Sequence, residues 1–337
     1  DREIEDRQGE GDRLASLGDA HAVLGEARRA VECYEQALAV AQAACAAAAE
    51  GSAEWLAGQR RAVAALVSLG DVYRGLREGR RAVKHYEQAL AIGRQAGDRA
   101  AEETALVHLG NAHRDLGEPR RAIAYLEEAL SLAAKTGDRA AEARHLARLG
   151  NTCTEVGEPR RGIRYFERAL ALAREDGDRE AEGNHLNNLG LAYADLWETQ
   201  RAIEYYEQGL AIAREIGDRE GEANGLGNLG IAYAVQGEAR RAIECHEQGL
   251  AVAREILSAS APGSPEWNAG RRAEGNHLGN LGNAHRDLGE VWPAIEYYEG
   301  ALSIAREIGH RRAEASHLGS LGEAYADLRE LRRAVEV

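Results

Sequence analysis

Four residue patterns in this chain could do chemistry. Histidines recur as His145, His185, His277 and His317, and imidazoles bind metals when they converge with carboxylates or thiols. Standing one per segment of the chain, they are too widely spaced for shared coordination, and structural roles at helix edges are expected. Gly225, Gly227 and Gly230 satisfy Gly-x-Gly-x-x-Gly. That pattern cradles phosphate only where a strand precedes it and a helix begins at it; here helix-forming sequence runs straight through, so no phosphate site is expected. Cys33, Cys45, Cys153 and Cys245 include no Cys-x-x-Cys pair, so neither a zinc site nor a disulfide framework is readable, and reduced thiols of a cytoplasmic protein are expected. The pairs Arg28-Arg29, Arg80-Arg81, Arg120-Arg121, Arg160-Arg161 and Arg240-Arg241 each follow a glutamate, which reads as a mixed solvated surface rather than a basic stripe. No Ser, His and Asp set or carboxylate pair stands out. The chain is therefore read as a non-enzyme, with no cofactor and no bound metal.

Asparagine is the remaining candidate. Asn184, Asn187 and Asn188, then Asn224 and Asn228, then Asn276, Asn280 and Asn283 sit around a recurring Leu-Gly pair, at positions that share a face distinct from the core face the pair defines. Asparagine is a mediocre helix former, so its recurrence within helical sequence needs another cause. Its amide offers a donor and an acceptor together, which suits the backbone of an extended peptide. An internal hydrogen-bond ladder between adjacent helices would use the same residues. Asn111 and Asn151 extend the track toward earlier segments, where Arg114, Arg144 and Arg148 would add positive charge and favour acidic residues of a partner, with Asp115 and Glu155 opposing them.

The elements that must position these residues follow from a repeat. The glycines of the Leu-Gly pairs are Gly18, Gly70, Gly110, Gly150, Gly190, Gly230, Gly282 and Gly322, with spacings of 52, 40, 40, 40, 40, 52 and 40. The longer spacings carry 12-residue insertions that resemble each other, Gly51-Ser-Ala-Glu-Trp-Leu-Ala-Gly and Gly263-Ser-Pro-Glu-Trp-Asn-Ala-Gly. Within one period, Leu106, Leu109, Gly110, His113 and Leu116 follow helical spacing, as do Ala122, Leu126, Ala129, Leu130 and Ala133. Gly117 separates the two helices, and Gly137-Asp138 ends one and caps the next. Such short connections force antiparallel neighbours. The expected units are about 9–50, 51–97, 98–137, 138–177, 178–217, 218–262, 263–309 and a truncated 310–337, forming one array, with residues 1–8 as the tail of a preceding repeat. That tail is expected because residues 2–7 match 214–219. At the other end Arg332-Arg333-Ala334-Val335 opens a helix and stops. Neither end supplies the polar cap a solenoid needs, so a slice of a longer polypeptide is expected, or one whose ends stack on another copy. In the first insertion Ala41 to Ala49 should be helix, and in the second Ser258 to Pro265 should be loop. Trp55 and Trp267 should then occupy equivalent positions.

Composition narrows the classes further. The hydrophobic fraction of 44% and the charged fraction of 29% describe a folded chain, and an aromatic fraction of 5% with abundant Ala, Leu, Glu and Arg favours helix over strand. A net charge of −14 repels nucleic acid and anionic membranes. No apolar run is long enough to span a bilayer, and no signal peptide is readable. Lys84 and Lys135 are the only lysines, which hints at a GC-rich coding sequence.

The period resembles the tetratricopeptide repeat. Leu189-Gly190, Tyr193, Ala202, Tyr206 and Gly209 in one unit, and Leu69-Gly70, Tyr73, Ala82, Tyr86 and Ala89 in another, carry the family pattern over nearly the whole chain. Cys153 and Gly162 depart from it in one unit without breaking register. The 40-residue length and the phrase Leu210 to Arg219 are similar to a subgroup that includes Pins-type polarity adaptors and the repeat tails of bacterial signalling ATPases and regulators, and more distantly kinesin light chains. The resemblance implies an all-α, right-handed α-solenoid of helical hairpins. Gly190 and Ala202 would let the two helices approach, with Tyr193 and Tyr206 filling the gap to the next unit. It also implies a scaffold or sensor within a larger bacterial signalling protein, binding a partner's extended segment in the groove of the first helices. The alternative is a structural element that oligomerises through open ends.

Overall fold

The 40-residue period becomes a run of helices. The computed structural model describes the backbone of residues 2–328 and side chains from residue 9 onward; the Arg332 to Val335 segment lies outside the described residues. Among the described residues every element is helical, and the fold is an all-α solenoid of hairpins. The chain divides into two compact units, Asp1–Gly157 and Glu158–Val337. The first holds α1 (Arg2–Val23), α2 (Ala27–Ala47), α3 (Ala53–Gly75), α4 (Gly79–Ala96), α5 (Arg99–Asp115), α6 (Pro119–Thr136) and α7 (Arg139–Glu155). The second holds α8 (Pro159–Asp176), α9 (Arg179–Asp195), α10 (Thr199–Ile216), α11 (Arg219–Val235), α12 (Ala239–Ala259), α13 (Pro265–Asp287), α14 (Val291–Glu307) and α15 (Arg311–Asp327).

Helix ends are set by local chemistry. Gly137 adopts φ 71°, a left-handed conformation that costs glycine little, and ends α6. Asp138 then accepts the N–H of Ala141 at 2.9 Å and starts α7. Asp98, Asp178 and Asp218 cap α5, α9 and α11 in the same way. α1 continues without a break through residues 2–8, the stretch read from sequence as the tail of a preceding repeat. Where Gly217 ends α10 in the left-handed region, the matching position holds Glu5, which offers no such turn.

Both insertions fold alike. α2 and α12 have 21 residues where α4, α6, α8 and α10 have 18, and α3 and α13 have 23 where α5, α7, α9 and α11 have 17. Most of the added sequence is therefore extra helical turn on either side of a short connection. The loop expected over Ser258 to Pro265 shrinks to residues 260–264, because Pro265 opens α13 at a position whose missing N–H is no loss. Ser52 and Ser264 cap the two long first helices, accepting from the N–H of Trp55 and Trp267 at 3.1 Å each. The two tryptophans thus occupy the equivalent positions expected of them.

Most hairpins close on one kind of contact, with Leu126 in place of the ring at Gly110. The second-helix ring stands on the Leu-Gly glycine of the first helix: a Cβ added at Gly70 would lie 2.3 Å from the Tyr86 ring, at Gly190 2.4 Å from Tyr206, and at Gly282 2.5 Å from Tyr298. These rings are almost fully buried. Tyr206 therefore fills the space inside its own hairpin rather than the gap to the next. Tyr193 stacks on Tyr205, with centroids 5.3 Å apart. At Gly230 the ring is an imidazole, and a Cβ there would meet His246 at 2.5 Å. His246 lies 1% exposed and His277 3% exposed, their Nδ1 atoms 3.3 Å apart. Burial pushes His246 down to about 3, helped by the charge of His277, and pushes His277 down to about 4.

Two predictions follow from this packing. Gly190→Ala should lower stability by about 1–2 kcal/mol, because overpacking against Tyr206 outweighs the better helix propensity of alanine. Gly319→Ala, a helical position where a Cβ meets nothing within 4 Å, should raise stability by up to about 1 kcal/mol. Urea titrations of both variants check the opposed signs. The histidine pair makes stability depend on acidity. Each imidazole titrates near 6.5 when unfolded and far lower when folded, so the contribution is full above pH 6.5 and is lost as pH falls toward 4. At pH 5 the loss is on the order of 2 kcal/mol for each histidine. His246→Leu should flatten that slope in urea titrations at pH 7.5 and 5.0; an unchanged slope would show that the pair does not carry it.

Candidate functional site

In the second unit the first helices α9, α11, α13 and α15 bring equivalent positions into columns. Counting from the Leu-Gly glycine, the sixth residue before it is Asn184, Asn224, Asn276 and Ser316, and the second before it is Asn188, Asn228, Asn280 and Ser320. Positions four apart stack on one helix face, so each helix presents a pair. The residue after the glycine is Leu191, Ile231, Asn283 or Glu323 and lies on the same side, three residues on.

Small residues let the helices lie close. Gly227, Gly279 and Gly319 stand three before the Leu-Gly glycine, and the imidazole of the next helix packs there: a Cβ on Gly227 would lie 3.5 Å from His277 and one on Gly279 2.6 Å from His317. Gly249 of α12 leaves room for His277 as well. His277 and His317 are thus spacers between neighbouring helices. In the first unit His145 accordingly faces Glu103 at 2.8 Å while 3% exposed. Gly225, Gly227 and Gly230 all lie inside α11, with no strand before them and no helix start at them. Among the described residues no three His, Cys, Asp or Glu side chains could hold a metal ion.

The asparagines separate into three groups. Asn228 donates from Nδ2 to Asn187 Oδ1 at 2.8 Å, one rung of a ladder between α11 and α9. Asn283 accepts from the Tyr298 hydroxyl at 2.7 Å, inside its own hairpin. Asn184, Asn224 and Asn276 are exposed, Asn188 and Asn280 half-buried, and none of these five has a hydrogen-bond partner among the described residues. Asn224, Asn228, Asn276, Asn280 and Asn283 line one cavity of about 440 Å³, closed at the start of α15 by His310, Arg312, Ser316 and His317. Asn184, Asn187 and Asn224 also line a narrower space of about 60 Å³ between α9, α10 and α11.

Arg114, Arg144 and Arg148 lie in the first unit. Arg114 on α5 is already 3.9 Å from Asp115 and 3.7 Å from Glu155. Arg144 and Arg148 on α7 are exposed and form no ion pair among the described residues. The arginine pairs behave as a mixed surface: Arg29, Arg81, Arg121, Arg161 and Arg241 each bond the glutamate three residues before, which begins the helix.

A second set of ion pairs fixes the seams between hairpins. Glu182 of α9, 7% exposed, accepts from Arg174 of α8 at 2.8 Å and Arg179 at 2.5 Å, and Arg179 reaches on to Glu215 of α10. Glu222 and Glu274 repeat the arrangement with Arg214 and Arg219, and with Arg254 and Arg271. Burial alone would raise the Glu182 carboxyl, but the two arginine bonds outweigh it and hold it below the usual range.

Sequence reading missed Leu191, Ile231, His310 and Arg312. A signal was present: Leu191 and Ile231 stand where other repeats carry Asp19, Asp71, Asn111, Asn151, Asn283 and Glu323, and His310 stands where Asp98, Asp138, Asp178 and Asp218 cap.

Tetratricopeptide repeat profiles match residues 61–135, 139–215 and 183–255, and a second one matches 278–312. No curated protein sequence matches the chain. Among solved structures it is similar to BtubC (BKLC) from P. vanneervenii, at 20% identity and TM-score 0.59 over 68% of this chain and 92% of that one. It is similar to a Signal Transduction ATPase with Numerous Domains protein with a tetratricopeptide repeat sensor from Pyrococcus horikoshii, at 16% identity and TM-score 0.58 over 91% of this chain and 45% of that one. Aspartyl phosphate phosphatase F from Bacillus subtilis follows at 13% identity and TM-score 0.59, over 83% of this chain and 69% of that one. These likenesses establish the fold. The repeats support a protein-interaction module, and the profile matches, which cover more than half of the sequence, show that the chain belongs to the tetratricopeptide repeat family.

Proposed function

We propose that the first-helix face of the second unit holds an extended segment of a partner protein, within a larger signalling protein of the cytoplasm. The observation that carries this reading is the row of unpartnered amides at Asn184, Asn224 and Asn276, repeated from helix to helix, the last two lining one cavity. An amide pairs equally well with the N–H and the C=O of a peptide backbone, and a period set by the helices suits a ligand that runs across them. The likeness to a chain described as carrying a tetratricopeptide repeat sensor agrees with such a role. Arg144 and Arg148, exposed in the first unit, favour acidic residues in whatever part of the partner reaches them.

The ladder and the groove now have separate residues, so they can be tested separately. Asn224→Ala with Asn276→Ala should weaken binding of a partner protein purified from the native host by about 1 kcal/mol for each lost hydrogen bond, with the melting temperature unchanged. Asn187→Ala with Asn228→Ala removes the rung and should lower the melting temperature instead. Calorimetry beside thermal melts reads both. Loss of stability without loss of binding in the first pair would make those asparagines structural and end the groove reading.

A further inference from the structure

The groove is chemically uneven along its length. Across the chain 56 of 337 residues are Asp or Glu and the net charge is −14, yet none of the residues lining the cavity is acidic. Arg312, at the end of the cavity formed by α15, is exposed and forms no ion pair among the described residues. The arginines of the seams, by contrast, are held by glutamates, and among the residues lining this cavity Arg312 is the one arginine. A guanidinium left unpaired beside amides and hydroxyls, with no carboxylate in the lining, is complementary to a negatively charged group.

On α9 and α11 the groove also carries an apolar pair beside its asparagines. Leu191 is 43% exposed and Ile231 49% exposed, and they follow the Leu-Gly pairs of adjacent first helices, α9 and α11. Every other repeat places a polar or charged residue there. Two aliphatic side chains left in water on neighbouring helices, beside Asn188 and Asn228, form a small patch that a partner's side chain would cover.

We infer that the partner segment carries an aliphatic side chain seated over Leu191 and Ile231 and, further along, an acidic side chain whose carboxylate pairs with Arg312. This rests on the groove reading above and adds what the asparagines alone do not supply, a sequence preference and a fixed order along the groove. Backbone amides give register-free affinity. An apolar contact at one end and a charge pair at the other fix which residues lie where.

The test is selection of random dodecapeptides displayed on phage against the immobilised full chain. Recovered peptides should be enriched in Ile, Leu or Val and in Asp or Glu, at constant order and separation. Arg312→Glu should abolish the acidic enrichment and weaken a synthetic recovered peptide by about tenfold or more, while Arg312→Lys keeps most of the affinity. Ile231→Asp should abolish the aliphatic enrichment and weaken the same peptide several-fold, by roughly the burial of one side chain. Both positions are exposed, and circular dichroism melts confirm that the variants fold. Peptides that lack these enrichments but still depend on Asn224 and Asn276 would overturn the inference and leave the groove reading standing. Recovery of no peptide, or of peptides indifferent to that asparagine pair, would overturn both.

Discussion

The interiors of most hairpins hang on a ring resting on a glycine. At Gly70, Gly190, Gly230 and Gly282 the facing ring comes so near that even one methyl group would collide with it. Close approach of this kind sets the distance between the helices of a hairpin and buries tyrosine or histidine at little backbone cost, since the glycines sit in otherwise strong helix-forming sequence. With that distance fixed, the remaining faces of the first helix have defined neighbours. One meets the second helix, one meets the next first helix through imidazole on glycine, and one is left facing water with its asparagines.

The seams between hairpins work by different chemistry. Glu182, Glu222 and Glu274 are nearly buried carboxylates held by two arginines each, one from the preceding helix and one from their own. Such a group is costly to bury unpaired and strongly directional once paired. Hairpin interiors are therefore packed by shape, whereas junctions are oriented by charge.

Fold and period were legible because both rest on residues that cannot vary without penalty. Leu-Gly pairs, Gly-Asp punctuation and helical spacing of apolar residues report steric and capping demands that act locally. The site was only partly legible. Asn187 and Asn224 have the same residue type on the same face, and only the distance from Asn228 to Asn187 makes one pair a rung. The tyrosine hydroxyl that reaches Asn283 comes from fifteen residues away, a relation set by the hairpin rather than by the helix. Histidines looked like edge residues because their partners, Gly227, Gly249 and Glu103, belong to other helices. Leu191 and Ile231 could have been found by comparing columns between repeats, since their meaning lies in departure from the period and not in any motif.

The seams also bear on how such a molecule yields to force. Inside a hairpin, a hard contact between ring and backbone resists both compression and shear, so each pair of helices behaves as a stiff plate. Between hairpins of the second unit, arginines with long flexible stems hold the carboxylates, and their guanidinium groups can swing while keeping their bonds. Bending would therefore concentrate at the junctions, in small steps shared among them, with salt acting on the exposed outer pairs such as Arg179–Glu215 and little on the buried carboxylates. The width available between successive first helices would thus be set at the junctions, without disturbing any buried ring.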